Sequence, residues 1–202
     1  MRRWTILFAA VIVAVGVGLF WLGGPRSDPP TQVEPVKGRW RYIVLHHSAT
    51  AEGNAERFGR HHRRRGWDEL GYHFVIDNGL GGPDGRVEVG PRWRKQKTGA
   101  HTGGTPNDEY NRRGIGICLV GDFRAHGPTA AQLAALETLL RELMAAHEIP
   151  ASHVIGHCQA PNTETKCPGR VFLDYLNTTL RPALERGASS RPSTATTVSG
   201  NR

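Results

Sequence analysis

Disulfide chemistry has little to work with here: three cysteines in 202 residues are too few, and odd in number, for a cross-linked scaffold. Acidic residues are also short, 18 Asp and Glu against 26 Lys and Arg, which leaves a net charge of +8. That balance suits an anionic partner, whether nucleic acid, membrane surface or acidic polymer, and does not choose among them. No internal repeat is present, which excludes a solenoid. No His-Glu-x-x-His pair is present, which excludes the helical metalloprotease signature. Long helices are limited by 25 Gly and 13 Pro. An apolar content of 38% is ordinary for a globular chain and excludes wholesale disorder. The length suits one domain with attachments.

The attachments lie at the ends. Met-Arg-Arg precedes an uncharged apolar run from Trp4 to Leu22, long enough to cross a bilayer core of roughly 30 Å. A cleaved secretory signal would carry a shorter apolar region and small residues at its cut site. The sequence therefore predicts that residues 1–23 form a membrane anchor, with a signal peptide as the other reading. Residues 24–37 read as a Pro-rich linker. Residues 187–202 are Ser/Thr/Gly-rich without apolar periodicity and read as a disordered tail. The working domain is residues 38–186. A single-pass protein of the cytoplasmic membrane, with its domain facing the periplasm or wall, is the expected location.

Within the domain, β-rich runs at Tyr42–His46, Tyr72–Asp77, Arg86–Val89, Ile115–Val120 and Val154–Gly156 predict five strands. The run at Ile115–Val120 is apolar on both faces and reads as central. Pro83-Asp84-Gly85 predicts the turn of a hairpin. Asn54–Arg65 predicts a surface helix ended by Gly66. Thr129 and Gln132 form a capping box ahead of Leu133, Leu136, Leu140, Leu143 and Met144 at helical spacing. Val171–Glu185 predicts a last helix that Pro182 bends or splits. The expected fold class is α/β: a central mixed β-sheet flanked by helices, behind an N-terminal transmembrane helix.

Three chemically apt side chains stand at the ends of these elements: His46, His157 and Cys167. Two imidazoles and a thiolate suit Zn²⁺, and three protein ligands leave a fourth position open, the arrangement of a catalytic zinc. Spacing alone favours hydrogen-bonded core histidines over a metal site, because no compact zinc motif is present. Cys118 reads as a small buried hydrophobe. Arg60–Arg65 is basic but lacks interleaved aromatics and a groove-reading fold. It reads as a solvated helix face, and no nucleic-acid partner is expected. Trp67 and Trp93 suit either a glycan groove or the core.

Longer strings carry more. Ile43-Val-Leu-His-His-Ser-Ala-Thr50, Gly71-Tyr-His-Phe-Val-Ile76, Gly99-Ala-His-Thr-Gly103 with Asn111, Gly116-Ile-Cys-Leu-Val-Gly-Asp-Phe123, and Gly156-His157 with Thr165-Lys-Cys-Pro-Gly169 occur in this order. Together they resemble the zinc-dependent N-acetylmuramoyl-L-alanine amidases. That family includes phage amidase-type lysozymes and the peptidoglycan recognition proteins. The likeness spans Tyr42 to Phe172. It implies that His46, His157 and Cys167 hold zinc, and that His47 and Cys158 do not. It puts Tyr72 at the family's catalytic tyrosine, and Thr165 at a position that relatives fill with Lys or Thr. It puts His101 and Asn111 where relatives touch the muramyl peptide. Gly114, where relatives often carry Ser, and the Gly79–Pro83 insertion depart from the pattern. The implied activity is hydrolysis of the amide between N-acetylmuramic acid and L-alanine in peptidoglycan, with a non-catalytic peptidoglycan-binding module as the alternative.

Overall fold

The computed structural model describes residues 39–189. The Trp4–Leu22 run, the linker at 24–37 and all but the first residues of the 187–202 tail lie outside the described residues. Among the described residues no helix is long and apolar enough to cross a membrane.

Five strands form one sheet: β1 (Tyr42–His47), β2 (Phe74–Ile76), β3 (Val87–Val89), β4 (Gly114–Leu119) and β5 (Val154–Gly156). Their order is β3-β2-β4-β1-β5. β4 is central and buried throughout, as its two apolar faces predict. Only β3 runs antiparallel, paired to β2, so the sheet is mixed. Among the described residues six α-helices accompany it: α1 (Ala55–Arg64), α2 (Pro91–Arg94), α3 (Glu109–Arg112), α4 (Ala130–His147), α5 (Arg170–Tyr175) and α6 (Arg181–Ser189).

The two faces of the sheet differ, and the difference creates the site. Side chains alternate along a strand. Ile43, Leu45, Phe74, Ile76, Ile115, Ile117 and Leu119 fall on one face, in the main core with Leu136, Leu139, Leu140 and Leu143 of α4. The α4 stripe matches the predicted one, with Leu139 added and with Leu133 and Met144 only half-buried. The opposite face carries Val75, Cys118 and Val120, packed with Leu70, Phe58 and Tyr72. Its smaller residues, with Gly116 between them, leave depth for imidazole rings.

Local signals account for the element ends. The Thr129 hydroxyl accepts from the Gln132 N–H while the Gln132 side chain accepts from the Thr129 N–H, closing the capping box at α4. The same Gln132 is fully buried, and its amide donates to the carbonyls of Ile76 and Val120, tying α4 to two strand ends. Asn54 caps α1 by accepting from the Arg57 N–H. Arg60, His61, Arg63, Arg64 and Arg65 are exposed, so the basic run is a solvated face.

Two differences from the sequence reading have physical causes. β2 is shorter than Tyr72–Asp77 because a side chain ends the ladder. His73 Nδ1 accepts the Gly116 N–H at 2.9 Å, the donor that a continued parallel ladder would give to the Tyr72 carbonyl. Arg86 likewise falls just outside β3. The last helix neither simply bends nor breaks at Pro182: α5 widens into a π-helical stretch at Leu176–Leu180 before α6. Pro182 lacks an N–H and crowds the carbonyl one turn back, and a wider turn relieves both defects. α6 runs to Ser189, past the predicted start of the tail.

Candidate metal centre

Parallel pairing of β1 with β5 aligns Leu45 with Gly156. The residue that follows each is a histidine, His46 still within β1 and His157 just past the end of β5, and their rings lie 4.6 Å apart. The Cys158 N–H donates to the Cys167 carbonyl at 2.8 Å, which folds the loop back and delivers Cys167 to the same place. The donor atoms of His46, His157 and Cys167 all lie within 4.8 Å of one another.

The trio fits a zinc ion. His46 Nδ1 stands 3.6 Å from Cys167 Sγ. Tetrahedral zinc with ordinary bonds to nitrogen and sulfur would separate these donors by about 3.6 Å. The electrostatics agree. Burial, followed by His101, His157 and His47, holds His46 well below the usual imidazole range. Burial lowers His157 to about 4. Both rings are therefore neutral and ligand-ready at pH 7. Burial pushes the Cys167 thiol up to about 12, partly offset by the His47 N–H that donates to Sγ at 3.4 Å. A thiol so placed ionises when a cation is beside it.

His47 and Cys158 stand apart from the trio. His47 Nδ1 accepts the Phe123 N–H at 3.2 Å and faces Asp122 at 3.8 Å. Tyr72 is close: its ring centre is 5.1 Å from that of His46, and it rests on His62 at 5.6 Å. Burial, with the Cys118 and Cys167 thiols nearby, raises the phenol well above its usual range, so it keeps its proton. Cys118, which the sequence marks as a small buried residue, packs in the same small cluster that Tyr72 rests on. The Thr165 hydroxyl accepts the Cys167 N–H at 3.1 Å and keeps its own proton to donate. Trp93 is core, packed on Trp40 and Phe74. Trp67 is half-buried beside His62 with Arg65 over its ring.

His101 and Asn111 sit behind the trio, nearly buried. The Asn111 amide oxygen accepts the N–H groups of His101 and Thr102 at 2.7 and 2.9 Å. The His101 ring lies 3.2 Å from His46 Nε2. A Cβ on Gly99 or Gly116 would come within 2.3 or 2.4 Å of this ring, so only glycine leaves it room. Glycine inside the strand Gly114-Ile-Gly116 was the available signal of such a close approach.

His73, next along the same face, is fully buried between Trp40 and Trp93. Burial lowers its pKa to about 4, with the Lys97 carbonyl opposing and Arg92 and Arg39 adding. The unfolded chain binds this proton near pH 6.5 and the folded chain refuses it until about pH 4. Stability is therefore present above 6.5 and lost as pH falls through that window, by about 3 kcal/mol from His73 alone. Urea titrations of chelator-treated protein at pH 7 and pH 4.5 check this. Equal midpoints would contradict it.

Comparison with known proteins agrees with this geometry. The model of the N-acetylmuramoyl-L-alanine amidase family matches residues 36–170. Peptidoglycan-recognition protein LE of Drosophila melanogaster is 31% identical over 78% of this chain and 44% of its own length. The N-acetylmuramoyl-L-alanine amidase of Sus scrofa is 29% identical over 85% of this chain and 29% of its own. This chain thus spans less than half the length of either relative. Among solved structures, the N-acetylmuramoyl-L-alanine amidase LysC of Clostridium intestinale superposes with a TM-score of 0.58 at 26% identity, covering 76% of this chain and 87% of that one. A Drosophila PGRP-LB variant in complex with tracheal cytotoxin superposes with a TM-score of 0.55 at 27% identity, covering 70% and 82%. The fold, the matched span and these relatives together make this chain a member of the N-acetylmuramoyl-L-alanine amidase family, which takes in the peptidoglycan-recognition proteins.

Proposed function

We propose that this protein hydrolyses the amide between the lactyl group of N-acetylmuramic acid and L-alanine in peptidoglycan, with zinc held by His46, His157 and Cys167. The observation that carries the reading is the convergence of three zinc-type donors beside a protonated phenol. A module that only recognised peptidoglycan would need neither.

Bound zinc would supply Lewis-acid polarisation of the scissile carbonyl and an activated water near neutral pH. The chain's own side chains do the rest. Tyr72 keeps its proton and donates it in a hydrogen bond to oxygen as negative charge develops there. Thr165, its lone pair already engaged by the Cys167 N–H, is free to donate a second. Neutral His46 and His157 hold the donor geometry without adding charge. With zinc held there, Cys167 would bind as a thiolate and leave a net positive charge, which would favour an oxyanion.

The test is mass spectrometry of purified peptidoglycan digested by the full chain, with zinc quantified in the same preparation. The expected result is one zinc per chain and free peptides beginning with L-alanine. Chelation should stop their release, and added zinc should restore it. A zinc-loaded chain that binds peptidoglycan without cutting it would make it a recognition module. We further place the work on the wall side of the membrane. The support is the apolar length of Trp4–Leu22 and the position of the substrate. Added protease should cut the linker at 24–37 while the inner membrane is intact, and a protected linker would reverse the orientation.

A further inference from the structure

The proton pattern behind the trio can be worked out from an atom that has no proton to give. The Gly114 carbonyl oxygen lies 3.3 Å from His101 Nε2. A carbonyl only accepts, so His101 carries its proton on Nε2 and presents a lone pair at Nδ1. His46 Nε2 lies 3.2 Å from that lone pair and must supply the hydrogen. With its proton on Nε2, His46 has its lone pair on Nδ1, the nitrogen that faces Cys167 Sγ.

We infer that His101 is a positioning residue for the metal: it accepts a hydrogen bond from His46 Nε2 and thereby locks His46 in the tautomer that ligates through Nδ1. This rests on the zinc reading given above.

Independent features hold His101 to the task. Its ring is clamped between Gly99 and Gly116. Asn111 fastens its backbone, and the Asn111 amide is itself held by the Thr102 carbonyl and by Asp108. The Thr102 hydroxyl, 2.7 Å from His101 Nδ1, adds a second donor to the same lone pair. His73 packs edge-on at 5.7 Å and closes the back of the ring. The effect of His101 on the reaction passes through His46.

The experiment compares zinc affinity, by competition with a chelator, in the full chain and in His101→Leu and His101→Asn. Leucine keeps volume between the glycines but has no acceptor. Asparagine places an amide oxygen near the position of Nδ1. The expected result is a roughly 10–100-fold weaker affinity for the leucine variant, the usual size of a lost supporting bond, and recovery of most of it with asparagine. Wild-type affinity in the leucine variant would overturn the inference. So would an asparagine variant as weak as leucine, since bulk would then be what matters. Thermal melts of the zinc-free variants show whether each has folded. A second readout needs no variant. Long-range ¹H–¹⁵N spectra of the wild-type chain should show His46 protonated at Nε2, and protonation at Nδ1 would overturn the inference. Failure of the wild-type chain to bind zinc would overturn this inference together with the functional reading. Zinc binding that depends on His101 without peptidoglycan cleavage would support the inference and remove only the functional reading.

Discussion

Cys167→Ser is expected to abolish zinc retention and amide hydrolysis together. Serine is nearly isosteric, so the loop held by the Cys158 N–H to Cys167 carbonyl bond survives, because both partners are backbone atoms. What is lost is the donor. A buried alcohol does not ionise beside zinc as a thiol does, and a neutral hydroxyl is a poor ligand. Affinity should fall by more than the roughly 10–100-fold that supporting residues command. Turnover should fall to background, while the melting temperature of the zinc-free protein stays near wild type. Zinc analysis after dialysis, run beside the peptidoglycan digest, gives both readings. Cys158→Ser is the control and should change neither. Unchanged zinc in the Cys167 variant would move the third ligand to Cys158.

Tyr72→Phe should separate the metal from the chemistry. The ring contacts with His46 and His62 remain, so zinc content and fold should be unchanged. Only a hydroxyl disappears. A hydrogen bond that strengthens as charge builds on oxygen acts on kcat rather than on KM. Turnover should drop by about 10–10³ with KM near wild type. Full turnover in the variant would return Tyr72 to a packing role on the sheet.

Much of the architecture could be read directly, where a local rule governs. β1 and β4 are continuous apolar runs, and the Thr129–Gln132 box and the leucine stripe need only neighbours within a turn or two. The three donors were legible as types at element ends, but only the longer strings separated them from ordinary core histidines. What escaped depends on contacts between distant segments. The early end of β2 is set by the His73 ring taking a strand donor from β4. The clamp on His101 needs the nearby loop residue Gly99 and the β4 residue Gly116 to meet the same ring. His101 and Asn111 match positions tied to the muramyl peptide in relatives, yet here their polar atoms are engaged inward. Burial on that scale leaves no mark in one strand's periodicity. The π-helical stretch is a compromise between Pro182 and the packing of Leu176 and Leu180, and a pattern of leucines does not disclose it.

The pairing of β1 with β5 has a consequence for when the centre comes into being. His46 is made early in the chain, and Cys167 follows 121 residues later. Closing so long a loop has an entropic cost that local helix contacts cannot offset, so this corner is assembled late. A growing chain that ends before His157 has one of the three donors and nothing to complete the set. Zinc loading is thus a finishing step, available only to a domain whose last strand has docked. A chain crossing a membrane unfolded would arrive on the far side empty and acquire its metal there.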